Sequence, residues 1–184
     1  INNQFLKYFL LLGLISAPIG WNFLHGYQKK RIEVFLGFGD NNKEAYHIQQ
    51  SKIAIGSGGL WGKGFMKGTQ NKLSFLPESR TDFIFAVICE ELGLVGALLV
   101  LFLYFILFLR LVWQISNIPL AINTLLAFGL LTHIMASTFI NICMVMGLLP
   151  IVGIPLPLMS YGISNLWITL ASLGWIQSLI LEKT

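Results

Sequence analysis

From residue 111 to residue 181 the chain contains not one Asp, Glu, Lys or Arg. A bilayer-spanning helix needs about 20 mostly apolar residues, so this run is long enough for more than one crossing. It is too long for the buried core of a soluble domain. Two further charge-free runs, 8–24 and 92–109, repeat the pattern. Only 11% of the 184 residues are charged, against roughly 25% in an average soluble domain. The chain therefore reads as an all-α integral membrane protein.

Five membrane-associated helices are expected within a single membrane domain, 1–184. The first, 5–24, is kinked at Pro18, where an intrahelical hydrogen bond is lost. The others are 43–56, 82–109, 121–148 and 163–181. Gln49, Gln50, Ser51 and Lys52 make the second too polar to face lipid, so other helices must shield it if it crosses. The turn-rich stretch 36–42 precedes it. Between the last two helices lies 149–162 (LPIVGIPLPLMSYG), whose three prolines rule out a regular helix. It reads as a re-entrant or buried loop, tolerated only where protein covers its backbone.

The opening residues Ile1-Asn2-Asn3-Gln4 carry no basic segment or small-residue cleavage site, so the first span is not read as a signal peptide. The chain is expected to be a piece of a larger protein or the remainder of a truncated reading frame. Cys89 and Cys143 sit in apolar runs without metal-ligand spacing and read as small buried hydrophobes. His133, with Thr132, Ser137, Thr138 and Asn141, is explained by hydrogen bonding between helices.

One polar island interrupts the apolar sequence: 56–82, GSGGLWGKGFMKGTQNKLSFLPESRTD. Long loops without regular structure are usually functional or disordered, and the interleaved Leu60, Trp61, Phe65, Leu73, Phe75 and Leu76 argue against disorder. The island is taken as the working site. Its glycines do not form a Walker A loop, because Ser57 stands where the first glycine should be and Gly64 replaces the Ser or Thr. Glycines that expose N–H groups beside lysines still favour an anion, and a lipid pyrophosphate suits a membrane surface. Glycines that merely let the loop fold back on helices explain Gly58 and Gly59 equally well. Anionic lipid is the simplest partner for the basic residues generally.

Ser79-Arg80-Thr81-Asp82 also fits a capping box, with Ser79 as N-cap and Asp82 at N3. Glu90 and Glu91 lie roughly 12 Å further along the helix at 1.5 Å per residue. Intramembrane carboxylates are functional candidates by default, and a pair with Lys or Arg from another segment is the common structural outcome. Lys29, Lys30, Arg31, Arg110 and Lys183 collect on one side of the membrane, the island and the proline loop on the other. The positive-inside tendency puts the first group in the cytoplasm, though the island's own basic residues nearly balance it.

The run 53–96, IAIGSGGLWGKGFMKGTQNKLSFLPESRTDFIFAVICEELGLVG, closely resembles the signature of the SEDS family of bacterial cell-wall polymerases. Gly68-Thr69-Gln70 and Phe75-Leu76-Pro77-Glu78 look more like its elongation branch than its division branch. The block 149–164 resembles the family's proline-rich loop and the start of its last helix, and Tyr27-Gln28, Arg31-Ile32 and Gln50-Ser51 also match. Where the family usually reads Ser-Tyr-Gly-Gly-Ser-Ser, this chain has Ser160-Tyr161-Gly162-Ile163-Ser164-Asn165. Ile163 is expected to add bulk where backbones approach closely. The family has ten spans, of which this chain corresponds to about the last five.

The resemblance implies a peptidoglycan glycosyltransferase that polymerises lipid II at the outer face of the bacterial cytoplasmic membrane during cell elongation. It implies a class B penicillin-binding protein as partner, no nucleic acid, and an island that faces outside. The family's proposed catalytic acid maps onto Asp82, as general base. Lys63, Lys67, Lys72 and Arg80 are candidates to stabilise the departing pyrophosphate, and a divalent cation is a candidate to share that work. Glu78, Gly58, Gly59 and Ser160 complete the expected substrate-binding set. Two other roles stay open on these residues: a flippase for the lipid-linked precursor, and a non-catalytic scaffold for a penicillin-binding protein.

Overall fold

A computed structural model describes residues 22–38, 43–69 and 80–181. The expected span 5–24 lies outside these residues up to position 21, and so does its kink at Pro18. The chain divides into two compact units, Ile1–Ala45 and Tyr46–Thr184, a division that composition does not mark. Every regular element among the described residues is helical.

In the first unit, α1 (Gly26–Phe35) takes in Lys29, Lys30 and Arg31. Gln28 Oε1 accepts from the His25 N–H at 3.0 Å, closing the helix start. The Arg31 guanidinium lies 5.8 Å from the centroid of the Tyr27 ring one turn back, a favourable cation–π placement.

The second unit contains nearly all of α2 (Lys43–Gly58) and the whole of α3 (Ile84–Ile115), α4 (Ala121–Val145) and α5 (Ile163–Leu181). Of the described helices, α3, α4 and α5 are long and apolar enough to cross a membrane. The protein is thus a multi-pass membrane protein. The shorter α2 solves its polarity problem with small residues. Ser51 and Ala54 are fully buried, and Ser51 Oγ donates to the Val145 carbonyl at 2.7 Å. Gly58 sits so close to α3 that a Cβ would overlap the Cys89 carbonyl. Such small-residue stripes let helix backbones approach.

Two details differ from the sequence reading. Helix α3 begins at Ile84 with Phe83 as N-cap, and that N-cap makes no side-chain capping bond. Asp82 therefore lies before the helix, in a turn, and Ser79, the other half of the expected capping box, lies outside the described residues. At its other end α3 continues past residue 109 to Ile115, so Arg110 is an exposed helical residue rather than a loop residue. Nothing in the local sequence (RLVWQI) opposes helix until Asn117-Ile118-Pro119.

Packing is concentrated in two clusters. Phe85, Ala86, Val100, Met144, Val145 and Leu156 bring α3, α4 and the proline loop together. Leu111, Ile115, Ala127, Leu131, Ile176 and Leu179 join α3, α4 and α5. Large apolar side chains such as Phe102, Phe105 and Trp113 point outward, as suits lipid contact. Thr132, Ser137 and Thr138 do not hydrogen-bond between helices; each hydroxyl donates to the carbonyl four residues back, of Phe128, His133 and Ile134. That local bond is the usual recourse of a hydroxyl inside a helix. His133 is exposed.

Candidate functional site

The first part of the island is built into a break in α3. Gly93 has φ 68° and ψ −163° inside the helix, a conformation that glycine adopts without steric cost. The break frees backbone groups that must find partners away from water. The loop supplies them: Lys63 N–H donates to the Glu90 carbonyl at 3.0 Å and Gly64 N–H to that of Glu91 at 2.9 Å. In return Leu94 N–H donates to the Gly59 carbonyl at 2.9 Å and Val95 N–H to that of Leu60 at 3.3 Å. A Cβ on Gly62 would overlap the Glu91 carbonyl.

Side chains reinforce this clasp. Glu90 is wholly buried, and its Oε1 accepts from Lys63 Nζ at 2.6 Å, Thr69 N–H at 2.8 Å and Thr69 Oγ1 at 2.9 Å. Glu91 Oε2 accepts from Met66 N–H at 2.9 Å, and Met66 itself has φ 57°. The two carboxylates of α3 thus hold the loop to the helix. Gly58 and Gly59 serve the same end, one by close packing and one by its carbonyl. Their place in the structure is the one expected of glycines that fold a loop back on helices.

The second part is the turn that carries Asp82. Three groups from the far end of the chain grip it. Asn141 Nδ2 donates to the Asp82 carbonyl at 2.8 Å and to the Ile154 carbonyl at 2.7 Å. Ser160 Oγ donates to the Thr81 carbonyl at 2.5 Å while accepting from Leu156 N–H at 2.7 Å. Tyr161 N–H donates to the Arg80 carbonyl at 2.8 Å. Beside the carboxylate lies Gly153, with φ +80°, where a Cβ would stand 3.4 Å from Asp82 Oδ2. On α2, the His47 ring stacks on Phe83 with centroids 6.3 Å apart.

The proline loop is covered as its composition requires. Leu156 is fully buried and Ile151 nearly so. Tyr104 OH donates to the Pro157 carbonyl, and Leu158 has φ 67°. Ile163 does not crowd a backbone contact: it opens α5 with 69% of its surface exposed. Among the described residues the extra bulk at that position is largely open to the surroundings.

Among the expected site residues, Ser160 is brought to the Asp82 turn, whereas Lys63 is held at Glu90, about two helical turns along α3. Lys67 and Arg80 are exposed. Lys72 and Glu78 lie outside the described residues. Among the described residues no three His, Cys, Asp or Glu side chains converge to hold a metal ion. Sequence reasoning missed Asn141, Gly153 and Thr69 as parts of the site. Thr69 stood within a quoted motif, while an amide deep in an apolar helix was the available signal for Asn141.

The family profile described as "Cell cycle protein" (FtsW/RodA/SpoVE) matches residues 2–184. The chain is 50% identical over 170 residues to peptidoglycan glycosyltransferase MrdB of Escherichia coli K12, a match covering 90% of this chain and 46% of that protein. It is 40% identical over 174 residues to peptidoglycan glycosyltransferase RodA of Treponema pallidum, covering 91% and 40%. Stage V sporulation protein E of Bacillus subtilis is 38% identical over 172 residues, covering 92% and 47%. The chain thus spans less than half the length of these relatives. A solved structure described as structural coordination of polymerization and crosslinking by a peptidoglycan synthase complex matches with TM-score 0.76 and 27% identity. That match covers 99% of this chain and 50% of the other.

Proposed function

The chain belongs to the FtsW/RodA/SpoVE family of cell cycle proteins, and from that premise we propose that it carries the acceptor-activating site of a peptidoglycan glycosyltransferase. The substrate is lipid II and Asp82 is the general base. The observation that carries this reading is how the Asp82 turn is held. Three backbone carbonyls in succession, of Arg80, Thr81 and Asp82, are gripped by groups from α4 and the proline loop. The carboxylate stands just before a membrane helix, beside Gly153, whose lack of a side chain keeps space next to it.

The reaction gives such a group a task. A sugar hydroxyl of the acceptor attacks the anomeric carbon of the donor and passes its proton to the Asp82 carboxylate. The new glycosidic C–O bond forms as the bond to the lipid pyrophosphate breaks. General-base assistance of this kind is typically worth about 10²–10⁴ in rate. The leaving pyrophosphate gains negative charge, which fixed cations stabilise. Lys67 and Arg80, exposed on the island, are assigned to it, with Lys72 from the same loop. Lys63 acts from within the clasp, by fixing the loop that carries them, and Glu78 is assigned to the acceptor side.

The site faces the outside of the bacterial cytoplasmic membrane, where lipid II is presented. The partner is a class B penicillin-binding protein; in support, the solved structure that the chain resembles is a complex for polymerization and crosslinking. The test is polymerisation of purified lipid II by a chain extended to the length of its relatives, with and without Asp82→Asn. The variant is expected to lose turnover by at least ~10²-fold with near-parent thermal stability. Full turnover would end the base assignment and favour transport or scaffolding, neither of which needs a base.

A further inference from the structure

We infer that Asn141 is the positioning residue of the Asp82 site, acting as a two-pronged donor that fixes the base and the proline loop to each other. The inference rests on the reading of Asp82 as the base. Asn141 is fully buried in α4, a mostly apolar helix without a formal charge. Its Nδ2 spans two carbonyls distant in sequence, those of Asp82 at 2.8 Å and Ile154 at 2.7 Å. Both neighbours are acceptors, so the NH₂ end of the amide must face them, whichever way a side-chain amide is first assigned.

The other end of the same amide is telling. Among the described residues, Asn141 Oδ1 is buried without a hydrogen-bond partner. A buried unsatisfied acceptor is costly, so a residue chosen only to stabilise the bundle would be better replaced by an apolar one. What Asn alone offers here is two N–H bonds on one short, stiff side chain. One prong holds the backbone of Asp82. The other holds Ile154, next to Gly153, where a Cβ would stand 3.4 Å from Asp82 Oδ2. One amide therefore ties the backbone of Asp82 to the segment of the proline loop beside its carboxylate. Reacting groups displaced by about 1 Å can lose about 10²-fold in rate, which is the scale on which this residue acts.

The test uses a chain extended to the length of its relatives and the same lipid II assay, with kcat and KM measured separately and normalised to folded protein. Asn141→Asp keeps the size and removes the two donors. It is expected to lower kcat by about 10–100-fold while KM stays within about twofold. Asn141→Ser is smaller and carries one donor; it is expected to lose less kcat than Asn141→Asp, again at nearly constant KM. Parent-like kcat in the folded fraction of either variant would overturn the inference, since a purely structural residue changes yield and not turnover. Asp82→Asn is run beside them. If it turns over normally, the base reading fails and this inference with it. If it is inactive while either Asn141 variant keeps parent-like kcat, the role of Asn141 alone falls.

Discussion

Lys63 Nζ stands 2.6 Å from Oε1 of Glu90, and the two ends of this pair differ in their access to water: the Glu90 side chain is fully buried while Lys63 keeps 27% of its own exposed. A charge left alone in the interior is costly, and breaking a buried pair typically loses about 3–5 kcal/mol. The lysine, being partly exposed, can turn to solvent, which reduces the loss when its partner is removed. Lys63→Met is therefore expected to cost about 2 kcal/mol or more and Glu90→Gln about half as much. Thermal unfolding in detergent, with parent and both variants side by side, gives the order. Equal losses would show that Glu90 is not dependent on the lysine.

Gly62→Ala should damage the clasp more than its chemistry suggests. The residue has φ +77°, and a Cβ would overlap the Glu91 carbonyl at the helix break. Left-handed backbone and a backbone clash together are expected to cost about 2 kcal/mol or more. Increased proteolysis between residues 59 and 69, with α4 and α5 still protected, is the expected signature. Gly26→Ala, at a site with nothing within 4 Å, is the control and should leave both stability and protection unchanged.

Ser160→Ala removes a hydroxyl that joins Leu156 N–H to the Thr81 carbonyl. Both backbone groups lose a partner in a place where water has little access, and each such loss costs about 1–3 kcal/mol. The variant is expected to lower the melting temperature and to raise hydrogen exchange at Leu156. An unchanged exchange rate there would mean that the proline loop does not depend on this bond.

The proposed orientation can be read by labelling within the second unit. Lys67 is exposed on the island and Asn117 is exposed in the turn after α3. In a Cys143→Ala background, which removes the half-buried thiol, Lys67→Cys should react with an impermeant maleimide in intact cells. Asn117→Cys should react only after permeabilisation. The reverse pattern would place the site in the cytoplasm and remove lipid II as its substrate.

The apolar runs by themselves pointed to a helical membrane protein, because a helix satisfies its own backbone in lipid and continuous apolar runs lack the alternation of barrel strands. The three prolines likewise determined that 149–160 is irregular and must be covered. Sequence also singled out the acids at 82, 90 and 91, since charge stands out in such a composition. It left open what each acid does. Only tertiary structure decided that Glu90 and Glu91 clasp the loop, because Lys63, Met66 and Thr69 reach them across a helix break that a lone glycine does not announce. Only tertiary structure put Asp82 in a turn gripped by Asn141, Ser160 and Tyr161. Those partners lie 59 and more positions away. Periodicity and spacing report what neighbours along one helix share, and the hydrogen bonds that aim this carboxylate are made between segments that become neighbours only when the chain has packed.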